Sequence, residues 1–392
     1  MSNLSENIEQ YFLELINGKR QSFFDKCLRC LLFAFSRLYR RIIQFRIWLY
    51  EKRIIRNRAI GCLVVSIGNL SCGGTGKTPV VEVFAKTLSR KGRKVAILSR
   101  GYRSKDNRSI FTKIKQMFKS EKYEIPPRIV SDGKDLLLDS AMAGDEPYML
   151  ASNLKNVVVL VDKDRVKSGL YAIDKFETDT LILDDGFQYL RLRPHINIAL
   201  VDTTSPFHNH HVLPLGLLRE PIKNLRRADY IFLTKSNGGK HLRHLKSFIR
   251  SHNRRAEIIE CCHRPKYLES VFHRGKKEEL EYLKGKKISA LSAIAWPKSF
   301  EDFLEELGAI LVYKKSYADH HRFSQQEIIN FVKESKAQGA EFMVTTEKDA
   351  VRIPSIGRCD LDLLFLRVEI DILSGQENFD ECISRICFIH ER

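Results

Sequence analysis

The chain has 392 residues, with 66 Lys+Arg against 48 Asp+Glu for a formal net charge of +18, and 43% of it is hydrophobic. That length calls for roughly two or three domains. The balance of apolar and charged residues excludes a disordered chain, a collagen-like chain and a polytopic membrane protein, and no solenoid-period repeat is present.

Nine cysteines are spread along the chain, an odd number that cannot all pair internally. The first 20 residues are polar and mixed in charge, unlike a secretory signal. Both features favour reduced thiols in a cytosolic compartment. Cys27-x-x-Cys30 has metal-ligand spacing but no second pair nearby, so it reads as two thiols on a helix rather than a zinc or redox site.

In chain order, the first element is a basic helix. Residues 1–60 hold 12 Lys+Arg and 5 Asp+Glu. Within them Phe24, Leu28, Leu31, Phe35, Leu38, Ile42, Phe45 and Leu49 recur at alternating intervals of four and three, which places them on one helical face. Lys26, Arg29, Arg37, Arg40, Arg41 and Arg46 occupy the rest. The longest uncharged run, Cys30 to Ser36, is too short to cross a bilayer. Two readings stand: a helix lying in the plane of an anionic membrane surface, or a core or coiled-coil helix with a solvated basic face.

Leu63-Val64-Val65-Ser66-Ile67 reads as a buried strand, and Val80 to Arg90 as a helix. Between them lies Gly68-Asn69-Leu70-Ser71-Cys72-Gly73-Gly74-Thr75-Gly76-Lys77-Thr78-Pro79. Strand, glycine loop and helix form the context of a phosphate-binding loop. Glycines let successive N–H groups turn toward phosphate oxygens, and the helix N-terminus adds partial positive charge. Lys77 is placed to reach the β/γ-phosphates of ATP, and Thr78 to bind Mg²⁺. Strict loops of this kind have Gly where Ser71 stands.

Further apolar strands are predicted at 94–98, 156–161, 180–183, 196–201 and 230–233, with helical segments between most of them. This alternation predicts an α/β fold with a mostly parallel sheet covered on both faces, ligands binding beyond the strands' carboxyl ends. Asp184-Asp185 ends one strand in the form of a Walker-B element, whose carboxylate holds Mg²⁺ directly or through water; a turn-capping Asp is the plainer alternative. Gly144-Asp145-Glu146-Pro147 precedes a helix, where the acids either complement its dipole or orient a hydroxyl for phosphoryl transfer. Asp319-His320-His321 precedes a helix starting near Ser324, and reads either as an exposed loop or as an acid–base or metal-binding group. Eight bases face two acids between Lys240 and Lys266, but aromatics are not interleaved with them, so nucleic acid is not an expected partner.

Taken together, these residues resemble the tetraacyldisaccharide 4′-kinase family of lipid A biosynthesis. The resemblance rests on the run Ser66 to Pro79, Ser99-Arg100-Gly101-Tyr102, Gly144 to Pro147, and Asp184-Asp185-Gly186-Phe187-Gln188. It continues through Leu213-Pro214, Leu218-Arg219-Glu220-Pro221, Asp319-His320 and Thr345-Thr346-Glu347-Lys348-Asp349-Ala350-Val351. The motifs run in the family's order across residues 24–370.

The resemblance implies transfer of the ATP γ-phosphate to the 4′-hydroxyl of a tetraacylated glucosamine disaccharide 1-phosphate, at the cytoplasmic face of the bacterial inner membrane. It implies a P-loop domain over 59–265 and a smaller C-terminal α/β domain over 266–392, with the active site in the cleft between. Residues 1–58 are then the membrane-associating helix region. It implies that Ser71, Cys72, Gly73, Gly74, Thr75, Gly76, Lys77 and Thr78 bind nucleotide with Arg165. Asp145 is the base candidate paired with His320, and Thr78, Glu146, Asp184 and Asp185 match the family's metal site. Ser or Thr at position 71 is itself a family trait. The segment near 103–127, with Lys113, Lys115, Lys119 and Lys122, is longer than the family pattern; contact with acidic headgroups is one reading of it. No obligate protein partner is inferred.

Two rivals are kept. A P-loop switch ATPase or GTPase of the partitioning or metallocentre-chaperone type would often carry a lysine where Cys72 stands. A non-enzymatic nucleic-acid binder is motivated by charge alone.

Overall fold

The structure, a computed structural model, describes residues 11–12, 14–16, 18–20, 22–101, 126–239, 241–273, 275–294, 296–319, 321–356 and 360–388. His320 and nearly all of the basic segment predicted at 103–127 lie outside the described residues.

Helix α1 spans Phe23–Glu51 and opens on a capping box. Ser22 Oγ accepts from the Asp25 N–H, and the Asp25 carboxylate accepts from the Ser22 N–H. Strand β1 (Leu63–Asn69) leads through the glycine loop into α2 (Lys77–Arg90) and then β2 (Val95–Ser99). Next come β3 (Arg128–Asp132), α3 (Asp145–Asn153), β4 (Val157–Val161) and α4 (Arg165–Phe176). They are followed by β5 (Thr180–Asp184), β6 (Ile196–Asp202), β7 (Tyr230–Thr234) and α5 (His241–His252). The remainder holds β8 (Glu257–Ser270), β9 (Lys277–Glu278), β10 (Lys287–Ser292), α6 (Pro297–Glu306) and β11 (Ile310–Ser316). It ends with α7 (Gln325–Ala337), β12 (Phe342–Thr346), β13 (Leu363–Ser374) and α8 (Gln376–Phe388).

These elements form two compact units, neither contiguous in sequence. One contains residues 1–100, 164–262 and 372–392; the other contains 101–163 and 263–371. The sequence division at 265/266 falls inside β8, and 101–163 groups with the C-terminal segment rather than with the loop-bearing one. Apolar runs reveal strands but not which strands share a core.

In the first unit, β7, β6, β1, β5 and β2 lie side by side and parallel. Every residue of β1, β2, β5 and β7 is buried, as their unbroken apolar runs require. Strand β1 sits between β5 and β6, and its register pairs Ile67 with Asp184. The glycine loop and the predicted acidic pair therefore leave the sheet at the same end. In the second unit β11, β10, β12 and β13 are parallel, while β3 and β4 form an antiparallel pair. The fold is α/β with a mostly parallel sheet.

Helix α1 turns the predicted apolar face outward. Phe24, Leu31, Phe35, Leu38, Ile42 and Phe45 are all at least half exposed. The side facing its own unit buries Asp25, Ser36 and Ile47. It docks by polar contacts: Ser36 Oγ donates to Val212 O (2.8 Å), Gln44 Nε2 to Asn224 Oδ1 (3.0 Å) and Arg46 to Gln188 O (3.2 Å). Among the described residues nothing covers the apolar stripe, and no helix is long and apolar enough to cross a membrane.

Candidate active site

The loop after β1 is shaped by its neighbours. Asn69, fully buried, donates to Ser71 O (2.8 Å), and Gln188 Nε2 donates to Asn69 O (2.9 Å). Cys72 N–H donates to Leu217 O (2.7 Å) and Arg219 N–H to Leu70 O (2.7 Å), so the segment 217–219 runs along the loop's start. Thr234 Oγ1 donates to Thr75 O (2.8 Å) and Lys235 Nζ to Gly74 O (2.9 Å). Gly76, at φ +74°, turns the chain into α2; a residue with a Cβ would be strained there. The amides of Gly74, Gly76, Lys77 and Thr78 have no acceptor among the described residues, and neither does the buried Thr75 hydroxyl. Such a row of donors at a helix start suits a polyphosphate.

Asp184 and Asp185 follow at the end of β5. Asp184 is buried and accepts from Ser99 Oγ (2.9 Å). Arg165, also buried, donates to Asp184 O (2.9 Å) and lies over the Tyr189 ring. Asp164 caps α4 by accepting from the Val166 and Lys167 amides, which fixes where Arg165 starts. Asp185 accepts two bonds from Arg219 (2.6 and 2.9 Å) and lies 3.8 Å from Lys77 Nζ. Burial alone would raise the Asp185 carboxyl, but Lys77 and Arg219 outweigh it and hold it below the usual range. Burial lowers the Arg165 guanidinium, partly opposed by Asp184 and Asp185.

The first unit thus brings together Ser71 to Thr78, Arg165, Asp184 and Asp185. Lys235, which also pairs with Asp202 (2.6 Å), and Arg219 are further polar groups touching this site. Arg219 stands within one of the motifs quoted above, yet the sequence assigns a role to neither residue.

Asp145 and Glu146 belong to the second unit, in the first turn of α3. The predicted helix start near 148 moves back to include them. The Asp145 carboxylate is gripped from two sides. Arg322 donates to Oδ1 (2.9 Å) and Arg352 to Oδ2 (2.9 Å). Arg352 is buried and also donates to Asp349 Oδ1 (2.9 Å) and Ala293 O (3.2 Å). Asp349, fully buried, accepts from the Ala293 N–H (2.9 Å) and Thr346 Oγ1 (2.7 Å). Burial pushes its carboxyl upward, against those bonds and the Arg352 charge. Glu347, from the same turn, accepts from Asn153 Nδ2 (2.6 Å) and from Arg367. The motif Thr345 to Val351, with Arg352, therefore holds α3 at both ends. His321 contacts Glu327 and stacks on Tyr317. His320 lies outside the described residues.

The tetraacyldisaccharide-1-P 4′-kinase (LpxK) family model matches residues 28–387. The chain belongs to the tetraacyldisaccharide-1-P 4′-kinase family. A tetraacyldisaccharide 4′-kinase of Halothermothrix orenii is 32% identical over 402 residues, covering 98% of this chain and 100% of that one. One from Syntrophus aciditrophicus is 35% identical over 364 residues, covering 90% and 91%. A solved LpxK structure from Aquifex aeolicus, in complex with ATP, superposes with a TM-score of 0.71 at 30% identity, covering 92% of this chain and 99% of that one. Membership of the kinase family does not favour the switch-ATPase rival.

Among the described residues no group of three or more His, Cys, Asp or Glu is arranged to hold a metal ion. A Mg²⁺ held by few protein oxygens and by substrate phosphates is compatible with that. The Thr78 hydroxyl and the Asp184 and Asp185 carboxylates supply hard oxygen donors, and all three sit in one unit. Glu146 is in the other unit.

Proposed function

We infer that this chain is an ATP-dependent kinase that phosphorylates the 4′-hydroxyl of a tetraacylated glucosamine disaccharide 1-phosphate in lipid A biosynthesis. The observation that carries this reading is the glycine loop: four free amides and Lys77 converge at the helix start in a chain matched to the family over 28–387.

The amides cradle the phosphates, and Lys77 exchanges its long contact with Asp185 for the β/γ-phosphate oxygens. Thr78, Asp184 and Asp185 would hold Mg²⁺, with Glu146 a further candidate ligand. The ion supplies neutralisation of phosphate charge when bound. Arg165, buried and anchored on the Asp184 carbonyl, adds fixed positive charge. Asp145, oriented by two guanidinium groups, acts with His320 on the proton of the acceptor hydroxyl.

Helix α1 supports a peripheral position on the cytoplasmic face of the bacterial inner membrane. Six exposed apolar side chains on one stripe are worth roughly 5–9 kcal/mol if half-covered by lipid. That is comparable to a lipid anchor, and the flanking bases suit anionic headgroups.

The test is incubation of the protein with Mg-ATP and a tetraacyl disaccharide 1-phosphate, followed by mass spectrometry. One added phosphate on the disaccharide is expected. Brisk ATP turnover that ignores the lipid, with no phosphorylated product, would sink the assignment.

A further inference from the structure

Two adjoining cavities open on the flank of α1, within the first unit. One, of about 470 Å³, is lined by Arg29 of α1 and by Ser205, His208, Asn209 and His211 of the loop after β6. The other, of about 270 Å³, shares His211 and adds Arg37, Arg40 and Lys223. No carboxylate lines either cavity.

The charge there is uncompensated. Arg29, Arg37, Arg40 and Lys223 have no acidic partner among the described residues, and Arg37 only lies over the Phe33 ring. By contrast Arg226, three residues after Lys223, pairs at 2.7 Å with Glu51, the last residue of α1. Both ring nitrogens of His211 lack a hydrogen-bond partner among the described residues, and the ring meets only Phe33 edge-on. His208 Nδ1 bonds to Ser205 Oγ (3.0 Å), leaving Nε2 open. Burial lowers the His211 imidazole, and His210, Arg29 and Arg37 lower it further. Burial likewise lowers His208, opposed by Asp202. The loop is also held in an unfavourable conformation: Phe207, His208 and His210 all have φ between +49° and +63°.

We propose that these cavities bind the phosphate group of an anionic membrane lipid, between the flank of α1 and the His208–His211 loop. Planar guanidinium groups and imidazole N–H donors match a phosphate's oxygens, with the ammonium of Lys223 as a point charge. A lipid-borne phosphate is favoured over a free one because the same helix exposes its apolar stripe beside the cavities, so acyl chains and headgroup have adjacent sites. The proposal rests on the membrane reading of α1.

The test is flotation of the full chain with phosphatidylcholine vesicles, with or without phosphatidic acid. Three double variants are compared with the parent chain. Arg29→Gln with Arg37→Gln strips cavity charge. His208→Gly with His211→Ala strips the imidazoles, and glycine suits the left-handed φ at 208, so folding is preserved. Lys26→Gln with Arg41→Gln removes the same charge from α1 outside the cavities. The preference for phosphatidic acid is expected to fall by about fivefold or more per arginine lost from the cavities. The imidazole variant should lose severalfold, and the control pair distinctly less than the cavity pair. Partition onto neutral vesicles should be unchanged throughout. Equal losses in the control and cavity pairs would mean diffuse attraction and overturn the proposal, as would cavity variants that behave like the parent. If inorganic phosphate binds the parent in calorimetry and the cavity variants lose it while vesicle preference never responds, the ligand is free phosphate and the lipid assignment fails. A parent chain that binds neither vesicle would refute the membrane reading of α1 itself, and the lipid assignment with it.

Discussion

Replacing Arg352 with Met should destabilise the second unit by about 3–5 kcal/mol, the usual cost of leaving a buried partner charge uncompensated. The magnitude follows from the geometry. Arg352 has a fully buried side chain and donates 2.9 Å bonds to both Asp145 and Asp349, as well as a bond to Ala293 O. Asp145 keeps Arg322 after the change and retains some exposure, so it loses little. Asp349 has no exposure and keeps only the Ala293 N–H and Thr346 hydroxyl. Adding Asp349→Asn removes the stranded charge and should return the deficit to roughly 1–2 kcal/mol, since only neutral hydrogen bonds are then missing. Hydrogen exchange by mass spectrometry on α3 and on residues 346–351 reports the loss locally, which matters because a chain of two units need not unfold in one step. A cost below about 1 kcal/mol for Arg352→Met, or a double variant no better than the single one, would refute the buried-charge argument. Arg352→Lys keeps the charge but not the fork. It should fold well yet lower kcat more than it raises the KM for ATP, because Asp145 is left loosely aimed.

Three more outcomes are expected. Lys77→Ala should cut phosphoryl transfer by about 100-fold or more, read as product formed per unit time with the fold checked by circular dichroism. Asp145→Ala and His320→Ala should each lower turnover more than ATP affinity; if steady-state kinetics show only a raised ATP KM, they are not proton-handling groups. Asp164→Ala should cost about 1 kcal/mol at neutral pH through loss of the α4 cap. Burial raises the Asp164 carboxyl, but Arg191, the capping amide of Lys167 and Tyr189 overcome this and hold it below its ordinary value. Its contribution is therefore complete above about pH 4 and disappears as pH falls through the lower folded value. The gap between parent and variant in urea melts should close on acidification.

The strands of the first unit were legible because each is a short apolar run between polar ends. Sequence placed β1 at 63–67 and β5 at 180–183, and the structure extends them to Asn69 and Asp184. The glycine loop was legible because few other uses exist for that spacing before a helix. The grip on Asp145 was not. Arg322, Arg352 and Asp349 come from segments about 177–207 residues away, and no local pattern marks a guanidinium that meets a carboxylate at that separation. The outward face of α1 was half legible: periodicity gave the stripe, but only the fold reveals that Ser36 and Asp25 turn inward.

The chain passes between the two compact units four times, at 100/101, 163/164, 262/263 and 371/372. No single backbone cleavage yields two separable halves. A gene split at 265 would strand residues 101–163, with Asp145, on the fragment that lacks Arg322 and Arg352. Complementation from two separately expressed pieces should therefore fail unless the break is placed in an exposed loop within one unit, and any rearrangement of this gene by fusion or permutation must respect all four crossings.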